Sequence, residues 1–462
     1  MHDMTQGSVR GHVLRMMLFM LAGMLVQTLY SLIDIFWVSR LGKEAVAAVA
    51  VSSNLMFVVI AVSQMIGVGA VALVSHAAGR KDHAEVQRLF NQSQCLAVVT
   101  GAVSLLAGFA TIGVYVDSLS SDAATAALGR EFLHWFIPAM ALQFSMVGIG
   151  SALRGIGNMK PGLLAQVGSV VLNMVLAPFL IFGWLTGHPL GVAGAALATF
   201  IATVAAIVGL VLYLRRSATY LKIDWQHWRP DWPLWARMIG IGLPAGTEFL
   251  LMALLMGVIY SVIRPFGAEA QAGFGIAMRI MQAGFMPAVC LSFAVAAVAG
   301  QNFGGKQFAR VKETFVEGVK LNVAFMLVFT VLCQLAQDAM MHLFSHDPAV
   351  VDVGAGYLRI ISCNYVAFGL IVVASGIFQG LGNTWPSLAA SASRLVIFIP
   401  LVFWLARQPG FALPQVWWSS VVSVTLQMAL SLTLLWREFG RKLVATPAAA
   451  PAAPAVAVAD TK

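Results

Sequence analysis

Long runs of apolar residues separated by short polar connections dominate this chain. Twelve such blocks lie near residues 13–38, 45–75, 92–116, 130–152, 162–185, 191–214, 234–263, 270–300, 318–337, 353–380, 387–406 and 413–436. A helix needs roughly 20 apolar residues to cross a bilayer, and the blocks are of that order. None alternates with the period of two that a membrane β-barrel requires. The first block is longer than a signal-peptide core and no small-residue cleavage site follows it, so it predicts a retained helix. The expected fold is therefore all-α and membrane-embedded, with twelve transmembrane helices.

Composition strengthens that reading. Of 462 residues, 60% are hydrophobic and 10% charged, with a mean hydropathy of +0.85. Soluble chains carry about a quarter charged residues. The net charge of +9 is distributed by topology. If the chain starts in the cytoplasm, that side receives Arg10, Arg80, Lys81, Arg88, Lys160, Arg215, Arg216, Lys222, Arg229, Lys306, Arg310, Lys312, Arg437, Arg441 and Lys442. The other side receives only Arg40, Lys43, Arg130, Arg264 and Arg407. Cytoplasmic loops are enriched in Lys and Arg, so both termini are expected in the cytoplasm of a bacterial-type inner membrane. The basic balance is thus a topology signal, with some contact to anionic lipid, and a nucleic-acid partner is not expected.

Cys95, Cys290, Cys333 and Cys363 fall singly inside apolar blocks without metal-ligand spacing. They read as small core residues, and neither a disulfide framework nor a metal site is expected. The stretch from Ala445 is Ala/Pro-rich and reads as disordered, and residues 437–462 are expected to form a disordered cytoplasmic tail.

The chain also repeats itself. "RGIGNMKP" starts at Arg154 and "QGLGNTWP" at Gln379, 225 residues apart (379 − 154). At the same offset Gly42, Glu44, Ala45 and Ala47 fall on Gly267, Glu269, Ala270 and Ala272, and Gly79, Lys81, Ala84 and Val86 fall on Gly304, Lys306, Ala309 and Val311. Three landmarks in one register mark a duplicated six-helix unit. Six is even, so the repeats are parallel, an arrangement that places a substrate path between two halves. The expected organisation is an N-terminal segment 1–12, an N-lobe 13–214, a cytoplasmic linker 215–233, a C-lobe 234–436 and the tail.

At these residues a family resemblance appears. "LVQTLYSLIDIFWVSRLGKEAVAAV", the two glycine turns, "GLPAGTEF" and "RIMQAGFMPA" resemble the multidrug and toxic compound extrusion (MATE) family, over residues 10 to 436. The resemblance implies an efflux antiporter that exchanges protons or sodium for amphiphilic, often cationic compounds by rocking two lobes. It implies no enzyme activity and no cofactor beyond the coupling ion, and a monomer is expected. The N-lobe is most similar to the DinF-like branch.

Features shared by both halves serve the shared fold, so one-sided intramembrane polar groups are the functional candidates. Asp34 in "LIDIFWV" has Ile259 as its repeat counterpart. A carboxylate in lipid is costly, so it should face an interior cavity, where it can take up and release a proton; the alternative is pairing with Arg40 or Lys43. The resemblance places the family's ion-linked acid at this position. Asn173, opposite Phe398, offers an amide to a cation or to Asp34, or joins two helices. DinF-like members usually carry an Asp four residues later; this chain has Ala177, one helical turn away on the same face. That loss weakens a rich oxygen site for sodium and favours protons.

Glu248, opposite Gly23, is the other carboxylate well inside a block. The NorM-like branch carries its acid about a turn further on, where Met252 stands, so Glu248 serves either the cavity from a lower level or a pair with Arg279 or Arg394. Those two arginines, opposite Asn54 and Ser169, read as charge partners and remain cavity candidates together with Asn54. Gln27, Gln64, Gln143, Gln166, Gln282 and Asn364 either meet substrate or join helices. The 22 Met and 28 Phe suit an adaptable apolar cavity.

"GQNFGGKQ" from Gly300 nearly spells a phosphate loop, but Gln307 stands where Ser or Thr should hold magnesium, and the segment follows a membrane helix. ATP binding is therefore not expected. No catalytic motif appears. The nearest rival is a flippase for a lipid-linked saccharide of the same superfamily, which would line its path with several cations.

Overall fold

The computed structural model describes residues 3–119, 122–184, 187–217, 221–224, 226 and 228–443, apart from the side chains of Val51, Ser53, Asn54 and Leu119. The tail from residue 444 and the linker residues 218–220, 225 and 227 lie outside the described residues.

Each apolar block becomes a helix except 353–380, which becomes two. In chain order these are α1 (Val9–Ser39), α2 (Lys43–Gly79), α3 (His83–Leu119), α4 (Ala123–Gly155), α5 (Lys160–Phe182), α6 (Gly191–Arg216), α7 (Trp232–Ile263), α8 (Ala268–Gly304), α9 (Phe308–Leu335), the short α10 (Gln337–His342), α11 (Pro348–Ser362), α12 (Tyr365–Gly380), α13 (Trp385–Leu405) and α14 (Leu413–Lys442). Ser8, Asp122, Asp231 and Asp347 cap helix starts with a side-chain oxygen, and proline sits in the first turn of α5, α7, α11, α13 and α14. Eleven helices among the described residues are long and apolar enough to span a membrane, and α11 with α12 forms one further span bent by 59°. At that bend Asn364 donates to the Val421 carbonyl at 3.1 Å, so it joins helices. Residues 437–442, expected to begin a disordered tail, are the last turns of α14 instead.

The repeat is written into the backbone. Gly42 and Gly267 have φ of 113° and 97°, Lys81 and Lys306 of 61° and 57°, and Gly157 and Gly382 of 76° and 67°. Lysine takes a left-handed conformation at a cost, so its presence at two equivalent helix ends reflects one shared turn geometry. In the glycine turns, Gly157 and Gly382 supply that conformation freely.

Within the N-lobe α4 is central, packing on α2, α3 and α6; in the C-lobe α8 is central, packing on α9, α11 and α12. Besides the α2–α8 packing, two helices reach across. The first half of α1 packs on α8 as well as on α5, and the first half of α7 packs on α2. The α2–α7 crossing is close because of small residues: a Cβ at Gly69 would meet the Met238 carbonyl, and one at Gly242 the Met65 carbonyl. The lobes fuse where both ends of the described chain meet, in a core that joins Met4 and Val9 to Val298, Phe439 and Leu443. The far half of the C-lobe, around Ile259, Phe274 and Trp417, has a core of its own.

The described linker is a strap rather than a free connection. Asn91 donates to Lys222 O and accepts from the Asp224 amide, both at 2.9 Å, while Gln92 donates to Arg229 O at 2.8 Å and accepts from Trp235 Nε1 at 2.9 Å. Arg88 pairs with Asp231 at 2.5 Å. Of the cysteines, Cys95, Cys290 and Cys333 are buried as expected, but Cys363 is exposed at the α11–α12 bend, where the helix opens.

Candidate functional site

A cavity of about 580 Å³ lies inside the N-lobe between α1, α2, α4, α5 and α6, and Phe293 of α8 lines it from the other lobe. That volume suits a drug-sized ligand. Its wall mixes Phe, Met and other apolar residues with polar side chains along its length, and its two ionisable groups, Asp34 and Arg154, lie at opposite ends.

One end is built around Asp34. The Tyr30 and Thr199 hydroxyls share a hydrogen bond of 2.9 Å, and Asn173 Nδ2 donates to Thr199 Oγ1 at 3.2 Å. Asp34 lies one turn beyond Tyr30 on the cavity-facing side of α1, and its Oδ1 is buried with no protein hydrogen-bond partner. The nearby cations are engaged elsewhere: Arg40 sits over the rings of Phe36 and Trp37 at 4.6 and 5.3 Å, and Lys43 pairs with Glu44 at 3.9 Å. The pairing of Asp34 with Arg40 or Lys43 is therefore not formed. Asn173 shares the cavity with Asp34, but its recorded partner is Thr199. Ala177 does not face the cavity; it is 1% exposed and packs in the lobe core with Ile181. The single-turn spacing from Asn173 is correct, yet α5 turns that position inward.

Gln27 and Gln166 line the middle of the cavity, joined by a hydrogen bond of 3.2 Å, and Gln64 and Gln143 face it from α2 and α4. Three other candidates are elsewhere. Gln282 and Arg279 are exposed on α8, and Arg394 reaches Ser420 Oγ at 3.4 Å with its Nε buried and unpartnered. The side chain of Asn54 is outside the described residues. Glu248 is not on the cavity wall; it lies on α7 beside Ser387 and Ser391 of α13, within the C-lobe. Among the described residues neither Arg279 nor Arg394 forms an ion pair, so the expected pairing with Glu248 is absent.

Tyr30, Thr199, Phe293 and Arg154 are cavity residues that the sequence did not single out. Tyr30 and Thr199 look like ordinary helix residues until α1 and α6 are brought together. Arg154 was hidden in a turn read as structural, although its repeat counterpart, Gln379, already marks it as one-sided.

Comparison with known proteins places this geometry. A family model described as MatE matches residues 20–179 and 244–404, one stretch in each repeat. The chain is 26% identical over 416 residues to the probable multidrug resistance protein YoeA of Bacillus subtilis, covering 89% of each chain. It is 23% identical over 407 residues to the FAD transporter of Shewanella oneidensis, covering 86% of this chain and 88% of that one. Among solved structures, an outward-facing conformation of a multidrug resistance MATE family transporter of the MOP superfamily matches with a TM-score of 0.87 at 24% identity, over 96% of this chain and 98% of that one. At that identity the likeness concerns the fold.

Proposed function

The chain belongs to the MatE family of multidrug efflux transporters, and from that premise we propose that it is a secondary antiporter exporting amphiphilic, cationic small molecules in exchange for protons. Both termini face the cytoplasm of a bacterial-type inner membrane, as the Lys and Arg distribution indicates. The lobes are joined at the terminus-bearing face, which supports reading this form as closed toward the cytoplasm.

The observation that carries this reading is Asp34. An acid on a cavity wall, with one oxygen lacking a protein partner and no cation beside it, is free to exchange a proton when water reaches it. Tyr30, Thr199 and Asn173 hold the surrounding polar shell in place. A proton is favoured over sodium because a single carboxylate is present and Ala177 adds none. In the cycle, protonation of Asp34 from outside loosens the cavity for release of cargo, and rocking of the lobes exposes the acid to the cytoplasm. Relatives bearing drug-resistance names favour this reading over a lipid-linked saccharide flippase.

The test is an ion swap in proteoliposomes loaded with a fluorescent cation. Export on an imposed pH gradient without sodium is expected. Export that runs on a sodium gradient and fails on a pH gradient would overturn proton coupling.

A further inference from the structure

Arg154 is the second ionisable group on the cavity wall, and the efflux reading leaves it without a task. It occupies the last turn of α4, beside the Gly155–Met159 turn and at the opposite end from Asp34. Its Nη2 donates to Ser151 Oγ at 2.8 Å, and its guanidinium carbon lies 5.2 Å from the centre of the Phe293 ring. No described Asp or Glu pairs with it.

A guanidinium has five N–H donors and keeps its charge. Here one hydrogen bond is recorded, and none of its nitrogens is among the buried atoms lacking a partner, so the remaining donors open onto the cavity. The α4 C-terminus and the Phe293 ring both favour a cation at this point, but neither supplies the counter-charge that an enclosed cation calls for. Arg394 is different, since its Nε is sealed among helices.

Positive charge also continues below Arg154. A smaller cavity of about 270 Å³ shares Phe19, Asn158 and Met159 with the first and is lined by His12, Arg15 and Lys160. A cleft carrying one sign of charge concentrates ligands of the other. The repeat offers no twin of this arrangement, because Gln379 stands in the place of Arg154.

We infer that the Arg154 end of the cavity is an anion subsite that holds the carboxylate of an amphiphilic cargo, with the apolar body against Phe19, Met20, Phe136 and Phe293. This rests on the efflux reading and extends its cargo from cations to zwitterionic amphiphiles. The α5 wall from Gly162 to Asn173 is roughly 16 Å long at 1.5 Å per residue. A drug-sized molecule held at Arg154 therefore leaves Asp34 free to exchange its proton.

Binding, rather than transport, tests this independently of coupling. Rhodamine B and its ethyl ester share a cationic chromophore and differ by one free carboxylate. With the purified full chain in nonionic detergent, fluorescence anisotropy should show tighter binding of rhodamine B than of the ester. Arg154→Gln should weaken rhodamine B about tenfold, the scale of a charge-assisted hydrogen bond, and the ester less than about twofold. Arg154→Lys keeps the charge but loses the fork, so it should fall between. Equal loss for both dyes in a protein that keeps its thermal transition, or no loss, overturns the subsite. If Arg154→Gln does not fold, Arg154→Lys decides, and an unchanged ratio of affinities overturns the proposal. Displacement of rhodamine B by equimolar phosphatidylglycerol would assign the site to a lipid phosphate and overturn the cargo class. A chain that binds only the ester, or neither dye, also overturns the subsite, while the ion swap judges efflux separately.

Discussion

His76 and Gln301 occupy equivalent positions in the two repeats, 225 residues apart (301 − 76), and each reaches across to the glycine turn of the opposite lobe. The Nε2 of His76 lies 2.7 Å from the Gly380 carbonyl, and the Nε2 of Gln301 donates to the Gly155 carbonyl at 2.8 Å. A carbonyl only accepts, so the His76 ring nitrogen carries the proton in this bond. Gly155 and Gly380 are themselves equivalent, one in each glycine turn. The contact is thus a reciprocal lock across the terminus-bearing face, and it must break whenever the lobes rock apart.

Removing either side of the lock should therefore shift the chain away from this closed form. His76→Ala loses about 1 kcal/mol, roughly a fivefold change in the equilibrium, and Gln301→Ala, which also gives up the bond from the Met4 amide, about 2 kcal/mol. Distances between spin labels on the two lobes at this face report the shift. His76→Gln should keep the closed distance, since it copies the partner's chemistry. A closed population unchanged in both alanine variants would remove the lock from the closure.

A second reciprocal pair lies beside the first. A Cβ at Gly79 would fall on the Gln301 carbonyl, and a Cβ at Gly304 on the His76 carbonyl. Backbone on the opposite lobe cannot yield locally, so Gly79→Ala and Gly304→Ala should each disfavour closure by about 1–3 kcal/mol. The same labels should show separated lobes in both variants. Retention of the closed distance in either would contradict the packing.

For Asp34, substitution by Asn keeps size and removes the exchangeable proton. Asp34→Asn should abolish gradient-driven dye export from inside-out vesicles while the protein still folds and inserts. Full export by this variant would exclude Asp34 from coupling.

The segment before α1 is held as firmly as a core element. Met4 is 1% exposed, its amide donates to Gln301 Oε1 at 3.1 Å, and its carbonyl accepts from Asn302 and Arg310 at 3.2 and 3.3 Å. Arg310 also donates to the Gly7 carbonyl at 3.0 Å and to Asn302 Oδ1 at 2.9 Å. Arg310→Ala should cost about 2–3 kcal/mol at roughly 1 kcal/mol per bond. Faster proteolysis of the N-terminal segment and a lower thermal transition are expected, and unchanged proteolysis would contradict the clamp.

Adding a carboxylate one helical turn after Asn173 should harm this chain. Ala177→Asp places an unpaired carboxylate in the N-lobe core next to Ile181. A buried charge without a partner costs several kcal/mol. Lower yield of folded protein in the membrane is expected, and a variant that folds normally with sodium-dependent transport would show that α5 can turn this position toward the cavity.

Much of the architecture was legible without coordinates, for reasons that act locally. A bilayer demands about 20 apolar residues per helix wherever the helix goes, so twelve spans could be counted along the chain. Left-handed turns leave glycine and repeated landmarks behind, and these located the duplication. The same register made Asp34 conspicuous, because a lone carboxylate in lipid is expensive whatever surrounds it.

What depends on two distant segments meeting was not legible. His76 and Gln301 share a register but not a residue type, so their common role appears only when each finds the other lobe's glycine carbonyl. Asn91 and Gln92 look like stray amides until the linker folds onto α3. Ala177 has the right spacing to face the cavity with Asn173, yet it packs into the N-lobe core. Arg154 sits in a turn whose glycines are structural, and only the approach of α1, α5 and Phe293 encloses its charge beside a cavity. Hydropathy and turn chemistry are properties of a short stretch of chain, so the sequence determined the spans, the repeat and the lone acid. The partners of each polar group are set by helix tilt and lobe contact, so only the tertiary structure decided the cavity, the lock and the fate of each buried charge.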